Sequence, residues 1–77
     1  MQTIFIRLST IQDVRKFVDI VSASDIDIDL SSGRYIVDAK SIMGIFSLDL
    51  LNPIKLTAHA EDCTALFAQL APFIVEE

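Results

Sequence analysis

DIDIDLSSGRYIVDAKSIMGIFSL, residues 25–48, decides the fold of this chain. Its first part alternates strictly: Ile26, Ile28 and Leu30 share one side, and Asp25, Asp27 and Asp29 the other. Successive side chains of a strand point to opposite faces, so this is a strand with one buried face. "SSG" ends it in a turn at Gly33, and "RYIVD" returns as the second arm of a hairpin. A helix is then expected from Ser41 to about Leu50, with Ile42, Ile45, Phe46 and Asp49 near one side, until Asn52–Pro53 breaks it.

The flanking segments add the same two periods. Gln2–Leu8 alternates, with Ile4, Ile6 and Leu8 opposite Thr3, Phe5 and Arg7, and is expected to be a strand. After Ser9–Thr10, the residues Ile11, Val14, Phe17, Val18 and Val21 form one helical stripe. Thr10 with Asp13 resembles a capping box, in which hydroxyl and carboxylate satisfy free amides of the first turn; Ser9 with Gln12 would serve equally. "IKLTAHA" is expected to be a fourth strand. Glu61 to about Val75 is expected to be the last helix, with Leu66, Phe67, Leu70, Phe73 and Ile74 inward. Glu61 and Asp62 suit its positive end, and Pro72 predicts a kink or frayed end. The order is β-α-β-β-α-β-α, an α+β fold with helices on one face of a four-stranded antiparallel sheet.

Composition bounds the function. Seventy-seven residues suit a single domain over residues 1–77, and 52% hydrophobic residues are too many for a disordered segment. A net charge of −5, with only six scattered Lys and Arg, argues against nucleic acid. A protein partner carrying basic residues fits better. No apolar run approaches the ~20 residues of a membrane span. Met1–Leu8 lacks the cationic start and apolar middle of a signal peptide. One cysteine, Cys63, allows no internal disulfide. The expectation is a cytoplasmic, membrane-free protein.

Candidate chemistry is sparse. Gly33 and Gly44 are the only glycines, so no phosphate-cradling loop exists and no cofactor is implied. His59, the single histidine, has no partner at metal-ligand spacing and reads as structural. Cys63 follows two acidic residues, which oppose thiolate formation. Asp25, Asp27 and Asp29 lack the glycine turn and distal glutamate of a calcium loop, so no metal is expected. Ser41 suits a helix cap. Of Ile42, Met43, Ile45, Phe46 and Leu48, more are apolar than one helix face can bury, and Ile42 and Met43 are the expected exposed pair.

The consecutive residues Lys40, Ser41, Ile42, Met43 and Gly44, with Ser47–Leu48 after them, resemble the regulatory-serine region of HPr, the phosphocarrier of the bacterial sugar phosphotransferase system, in its Gram-positive form. The resemblance runs back to Lys16, Phe17 and Val18, and forward through "LTAHAED" into the last helix. It implies an open-faced β-sandwich with strand order 1-4-2-3. It also implies phosphorylation of Ser41, with Lys40 as a neighbouring cation. Lys40, Ile42, Met43 and Phe46 would form a partner-binding surface, with Gly44 allowing a partner backbone to approach.

HPr carries its phosphoryl group on a histidine at the start of the first helix, in a pattern close to His-x-Arg-Pro. In this register the histidine falls on Thr10, the arginine on Gln12 and the proline on Asp13. The loop "LDLLNPI" also departs from the family, which has glycine near Asp49. The chain is similar in this to the catabolite-repression HPr homologues, which lack the histidine and keep the serine. The resemblance thus implies a non-enzymatic regulatory domain whose partners are the kinase/phosphorylase acting on the HPr serine and a transcription regulator of carbon use. The alternatives are a phosphocarrier of altered chemistry, accepting phosphate on Thr10 or His59, and a degenerate HPr-like module with an unrelated partner or self-association.

Overall fold

The computed structural model describes residues 1–76. Five strands and three α-helices follow in the order β1 (Gln2–Ile6), α1 (Ile11–Ser22), β2 (Ile28–Ser32), β3 (Tyr35–Asp38), α2 (Ile42–Phe46), β4 (Ile54–Ala58), α3 (Thr64–Gln69) and β5 (Ile74–Val75). A 3₁₀ turn, Ala71–Phe73, joins α3 to β5. The sheet is antiparallel throughout, ordered β3-β2-β4-β1-β5. The first four strands take the expected 1-4-2-3 arrangement, and β5 extends it beside β1.

The registers explain the core. Ile4, Leu56, Leu30 and Val37 lie in one row across β1, β4, β2 and β3. Ile6 and Ile54 make the next row, joined by Ile74 of β5. Alternation turns these residues toward the helices, and Ile6, Leu30, Ile54 and Leu56 are fully buried. Val14, Phe17 and Val21 of α1 and Leu66 of α3 close over them, with Leu70 and Phe73 beyond α3. The Phe17 and Phe73 rings meet edge to face, centroids 6.2 Å apart. No described helix is long and apolar enough to cross a membrane.

The hairpin forms as its residues dictate. Among the described residues Gly33 alone has positive φ, +60°, in the two-residue loop Gly33–Arg34. A hairpin that short favours glycine at its first loop position.

Several sequence expectations are corrected. The last helix does not run from Glu61 to Val75: it starts at Thr64 and ends at Gln69. Pro72 has no amide to continue the ladder. The chain tightens into the 3₁₀ turn and extends, so that Val75 and Ile74 pair with Phe5 and Ile6. Ile74 is therefore a strand residue and not a helical one; it shares the helix side with Ile6 but, at the sheet edge, stays partly exposed. α2 is also shorter than Ser41–Leu50. The Ser47 hydroxyl donates back to the Gly44 carbonyl at 2.6 Å. Asp49 accepts from the Leu51 amide at 3.0 Å and the Asn52 side chain at 2.9 Å, drawing the backbone into a turn. Ile11, expected in the buried stripe, is 63% exposed, because it lies a turn before the packed positions Val14, Phe17 and Val21. Strand β2 begins only at Ile28; Ile26 precedes it, its amide held by the Ser24 hydroxyl at 3.1 Å.

Of the two acidic residues before α3, Asp62 serves its start. The Thr64 amide donates to Asp62 at 3.0 Å. Backbone and side-chain hydrogen bonds from Thr64 hold the Asp62 carboxyl below its ordinary value. A lowered folded value means that this stabilisation is complete above the unfolded aspartate pKa and is lost as pH falls through the folded one. Asp62→Asn is therefore expected to flatten the fall in stability as pH drops below the ordinary aspartate range, measured by urea unfolding through the acid range. An unchanged slope would show that the Thr64 bonds do not discriminate the charged form.

Candidate functional site

Two helix starts carry the candidate residues. At the first, Thr10 has an extended backbone (φ −131°, ψ 163°) and its Oγ1 accepts from the Asp13 amide at 3.0 Å. The Asp13 carboxylate accepts from the Ser9 amide at 3.1 Å. The box thus closes over both Thr10 and Ser9, which settles the helix boundary. Gln12 is exposed within this first turn. Thr10 is fully employed as a cap, and an alcohol needs an adjacent base to act as a nucleophile.

The base is not supplied by His59. Residue pairs Ile6↔Ile54 and Gln2↔Ala58 mark the two ends of the β1–β4 ladder. Thr10 follows the Ile6 end, and His59 follows Ala58 at the other. The registers therefore put the two residues at opposite ends of the sheet. His59 Nε2 lies 2.7 Å from Asp29 Oδ2, with both side chains nearly half exposed. This pair spans thirty residues of sequence and was not foreseen: Asp29 is on the outward set of β2, and His59 directly follows β4. With Asp27, Asp38 and Lys40 they line a shallow depression. No group of three or more metal-ligating side chains occurs among the described residues. Cys63 is buried, its thiol 3.6 Å from the Ala60 carbonyl oxygen.

At the second helix start, Ser41 is exposed and its Oγ accepts from the Gly44 amide at 3.2 Å. This is a cap hydroxyl at the first turn of α2, open to solvent. Its neighbours differ from expectation in three respects. Lys40 does not direct its ammonium at Ser41: Nζ donates to the Ser24 carbonyl at 2.9 Å, tying the turn before α2 to the loop after α1. Gly44 serves an internal contact rather than an open surface. A Cβ there would sit 3.2 Å from the Val37 Cβ and 3.3 Å from Ser41 Oγ. The exposed apolar pair is Met43 and Phe46, at 77% and 43%, and not Ile42 with Met43. Ile42 is half-buried and packs on the core. The reason is rotational: Ile45 anchors α2 to the core, and Ile42, one turn earlier on that side, follows it inward.

The two starts do not form one site. β3 runs opposite to β2, so Ser41 follows the sheet end shared by Ile28 and Ala58, while Thr10 follows the other end. α2 then turns back over β3, next to Val37, and packs against α1.

The architecture has clear counterparts among solved structures. The chain is similar to HPr-C-His from Thermoanaerobacter tengcongensis, with 28% identity and a TM-score of 0.78, over 94% of this chain and 89% of that one. It is similar to the phosphocarrier protein HPr from Bacillus anthracis str. Ames, with 25% identity and a TM-score of 0.71, over 96% and 94% of the two chains. The histidine-containing phosphocarrier protein of Mycoplasma shares the fold at 14% identity and a TM-score of 0.69, over 92% and 86%. No protein-family model and no curated protein matches the sequence. The fold is therefore HPr-like α+β, an open antiparallel sheet with three helices. Its structural neighbours are phosphocarrier proteins.

Proposed function

We propose that this chain is a non-enzymatic HPr-like regulatory or interaction domain of the cytoplasm, without histidine phosphocarrier activity, whose candidate control point is phosphorylation of Ser41. The observation that carries this reading is the occupation of the first helix start. Thr10 caps α1 where the resemblance calls for the phosphoryl-carrying histidine, Gln12 and Asp13 stand for its arginine and proline, and the single histidine lies beyond the other sheet end. Ser41 is exposed, as a kinase substrate must be. A phosphate there would meet the first-turn amides of α2 rather than disrupt a helix end. Beside it Met43 and Phe46 offer apolar contacts to a partner, with Ile42 and Lys40 behind them. By resemblance the partners are the kinase/phosphorylase that acts on the HPr serine and a carbon-use transcription regulator.

A second reading has one observation in its favour. His59 is accessible and oriented by Asp29, a carboxylate–imidazole pairing that could serve a relocated phosphoryl acceptor. Intact-mass measurement separates the two. With the serine kinase and ATP, the wild type is expected to gain one phosphoryl group and Ser41→Ala none; the latter loses only the cap, about 1 kcal/mol. With phosphoenolpyruvate and the upstream phosphotransferase enzyme, no gain is expected. A phosphoryl group acquired in that second assay and mapped to His59 or Thr10 would replace the regulatory reading with a carrier of altered chemistry.

A further inference from the structure

β3 is an edge strand without the usual protection. Of the two described edges, β5 is only two residues long, whereas β3 offers Tyr35–Asp38. Natural edges are blunted by proline, charged side chains, bulges or brevity; β3 is four residues long, has no proline, no lysine and a continuous register with β2, and the charges at its ends, Arg34 and Asp38, are of opposite sign. Tyr35 and Ile36 are 68% and 71% exposed.

The hydrogen-bond phase shows which groups face outward. The Ala39 amide donates to the Ile28 carbonyl at 3.0 Å. Antiparallel pairs alternate between bonded and non-bonded. Val37 and Tyr35 therefore bond to β2, and Arg34, Ile36 and Asp38 turn their backbone groups away from the sheet. The Asp38 carbonyl is already taken by the Ser41 amide at 3.0 Å; its amide is not.

The stretch RYIVD, residues 34–38, is self-complementary about its centre. Laid antiparallel on itself, it sets Ile36 opposite Ile36, and Arg34 opposite Asp38 on both sides of the axis. The need for that charge is visible within one chain. Asp38 faces Asp29 across the β2–β3 ladder, and like charges directly opposite are destabilising. An arginine arriving on the outer side of Asp38 offsets that repulsion.

We propose that this chain associates with a second copy through β3, as a two-fold antiparallel extension of the sheet. Ile36 exchanges both backbone bonds with Ile36 of the copy, and each Asp38 amide meets the opposite Arg34 carbonyl. The two-fold axis is perpendicular to the sheet, so the helices of both copies lie on one side of a continuous ten-stranded sheet. The contact is far smaller than a standard interface of roughly 1,600 Å². It is therefore a weak, concentration-driven dimer, with Kd on the order of 0.1–1 mM.

Sedimentation across a concentration series up to the millimolar range, with amide exchange of Ile36 at both ends, tests this. The wild type is expected to shift from monomer to dimer, with Ile36 protection rising with concentration. Ile36→Pro removes an outward amide that β2 does not use; it is expected to stay monomeric with unchanged far-ultraviolet circular dichroism. Arg34→Glu is expected to weaken association about 5–30-fold. The double variant Arg34→Glu/Asp38→Lys, which puts opposite charges back across the axis, is expected to recover it. A wild type that remains monomeric throughout overturns the proposal, and so does a dimer indifferent to Ile36→Pro and to the charge reversals.

Discussion

Phe17→Ala is expected to destabilise the domain by about 3–5 kcal/mol, the usual cost of deleting a fully buried aromatic ring. Phe17 is wholly inaccessible in the middle of α1, and its ring abuts that of Phe73. A chain of this length has roughly 4–12 kcal/mol in total, so much of it would be lost. The midpoint of thermal unfolding should fall by about 12–40 °C. The damage should spread along a defined path. Phe73 ends the 3₁₀ turn that delivers β5, and its carbonyl accepts from the Arg7 amide at 2.8 Å. Loss of its partner ring should release β5 before the rest of the sheet. Amide exchange would show this as early loss of protection at Arg7 and Val75, the amides that the phase of the β1–β5 ladder uses. Phe17→Leu, which keeps most of the volume, should cost about 1.5 kcal/mol or less. If Phe17→Ala unfolds with a midpoint within a few degrees of wild type, the packing described between α1 and the 3₁₀ turn is wrong.

The triple variant Thr10→His/Gln12→Arg/Asp13→Pro is expected to take a phosphoryl group from phosphoenolpyruvate and the upstream enzyme on the new histidine, where the unmodified chain is expected to take none. Thr10→His alone should transfer poorly. A neutral imidazole supplies the nucleophile, but Gln12 offers no charge to balance the phosphoryl oxygens, and Asp13 brings a negative charge close to them. The first helix start can accommodate all three changes. The Asp13 amide makes only the cap bond to Thr10, and the first intrahelical bond is Val14 to the Thr10 carbonyl, 3.1 Å. Proline in the first turn therefore breaks no helical ladder bond; beyond the cap bond that the histidine already removes, it gives up the Asp13 carboxylate's bond to the Ser9 amide, 3.1 Å. The cost is the cap itself, about 1 kcal/mol. Intact mass with peptide mapping reads the result. Equal labelling of the single and triple variants would show that arginine and proline are dispensable here. No labelling of a folded triple variant would mean that the surroundings of Thr10, and not merely its residues, differ from those of the phosphocarriers.

The local pattern was sufficient for the strands and the hairpin because each segment's alternation shows which face is buried. Ile4, Ile6, Ile28, Leu30, Leu56 and Val37 all lie on the helix side of the sheet, as their spacing required. The caps at Thr10 and Ser41 were legible for a similar reason: a hydroxyl and the amide three residues later are neighbours in any helix start. The 1-4-2-3 strand order and the candidate roles of Ser41 and Thr10 came from resemblance to a family, since short-range periodicity contains no information on which strands pair. What the tertiary structure decided is what depends on residues distant in the chain. Apolar spacing continued through Phe73 and Ile74, yet the edge of β1 was open, and extended chain beyond Pro72 could satisfy backbone groups there that a helix would have left unpaired. Lys40 belonged to Ser24 rather than Ser41, and Asp29 to His59, because folding brought loops to the same end of the sheet. Ile42 and Phe46 exchanged their expected burial since the rotation of a five-residue helix is set by the surface it packs on, through Ile45 and the close approach of Gly44 to Val37, and not by its own hydrophobic residues alone.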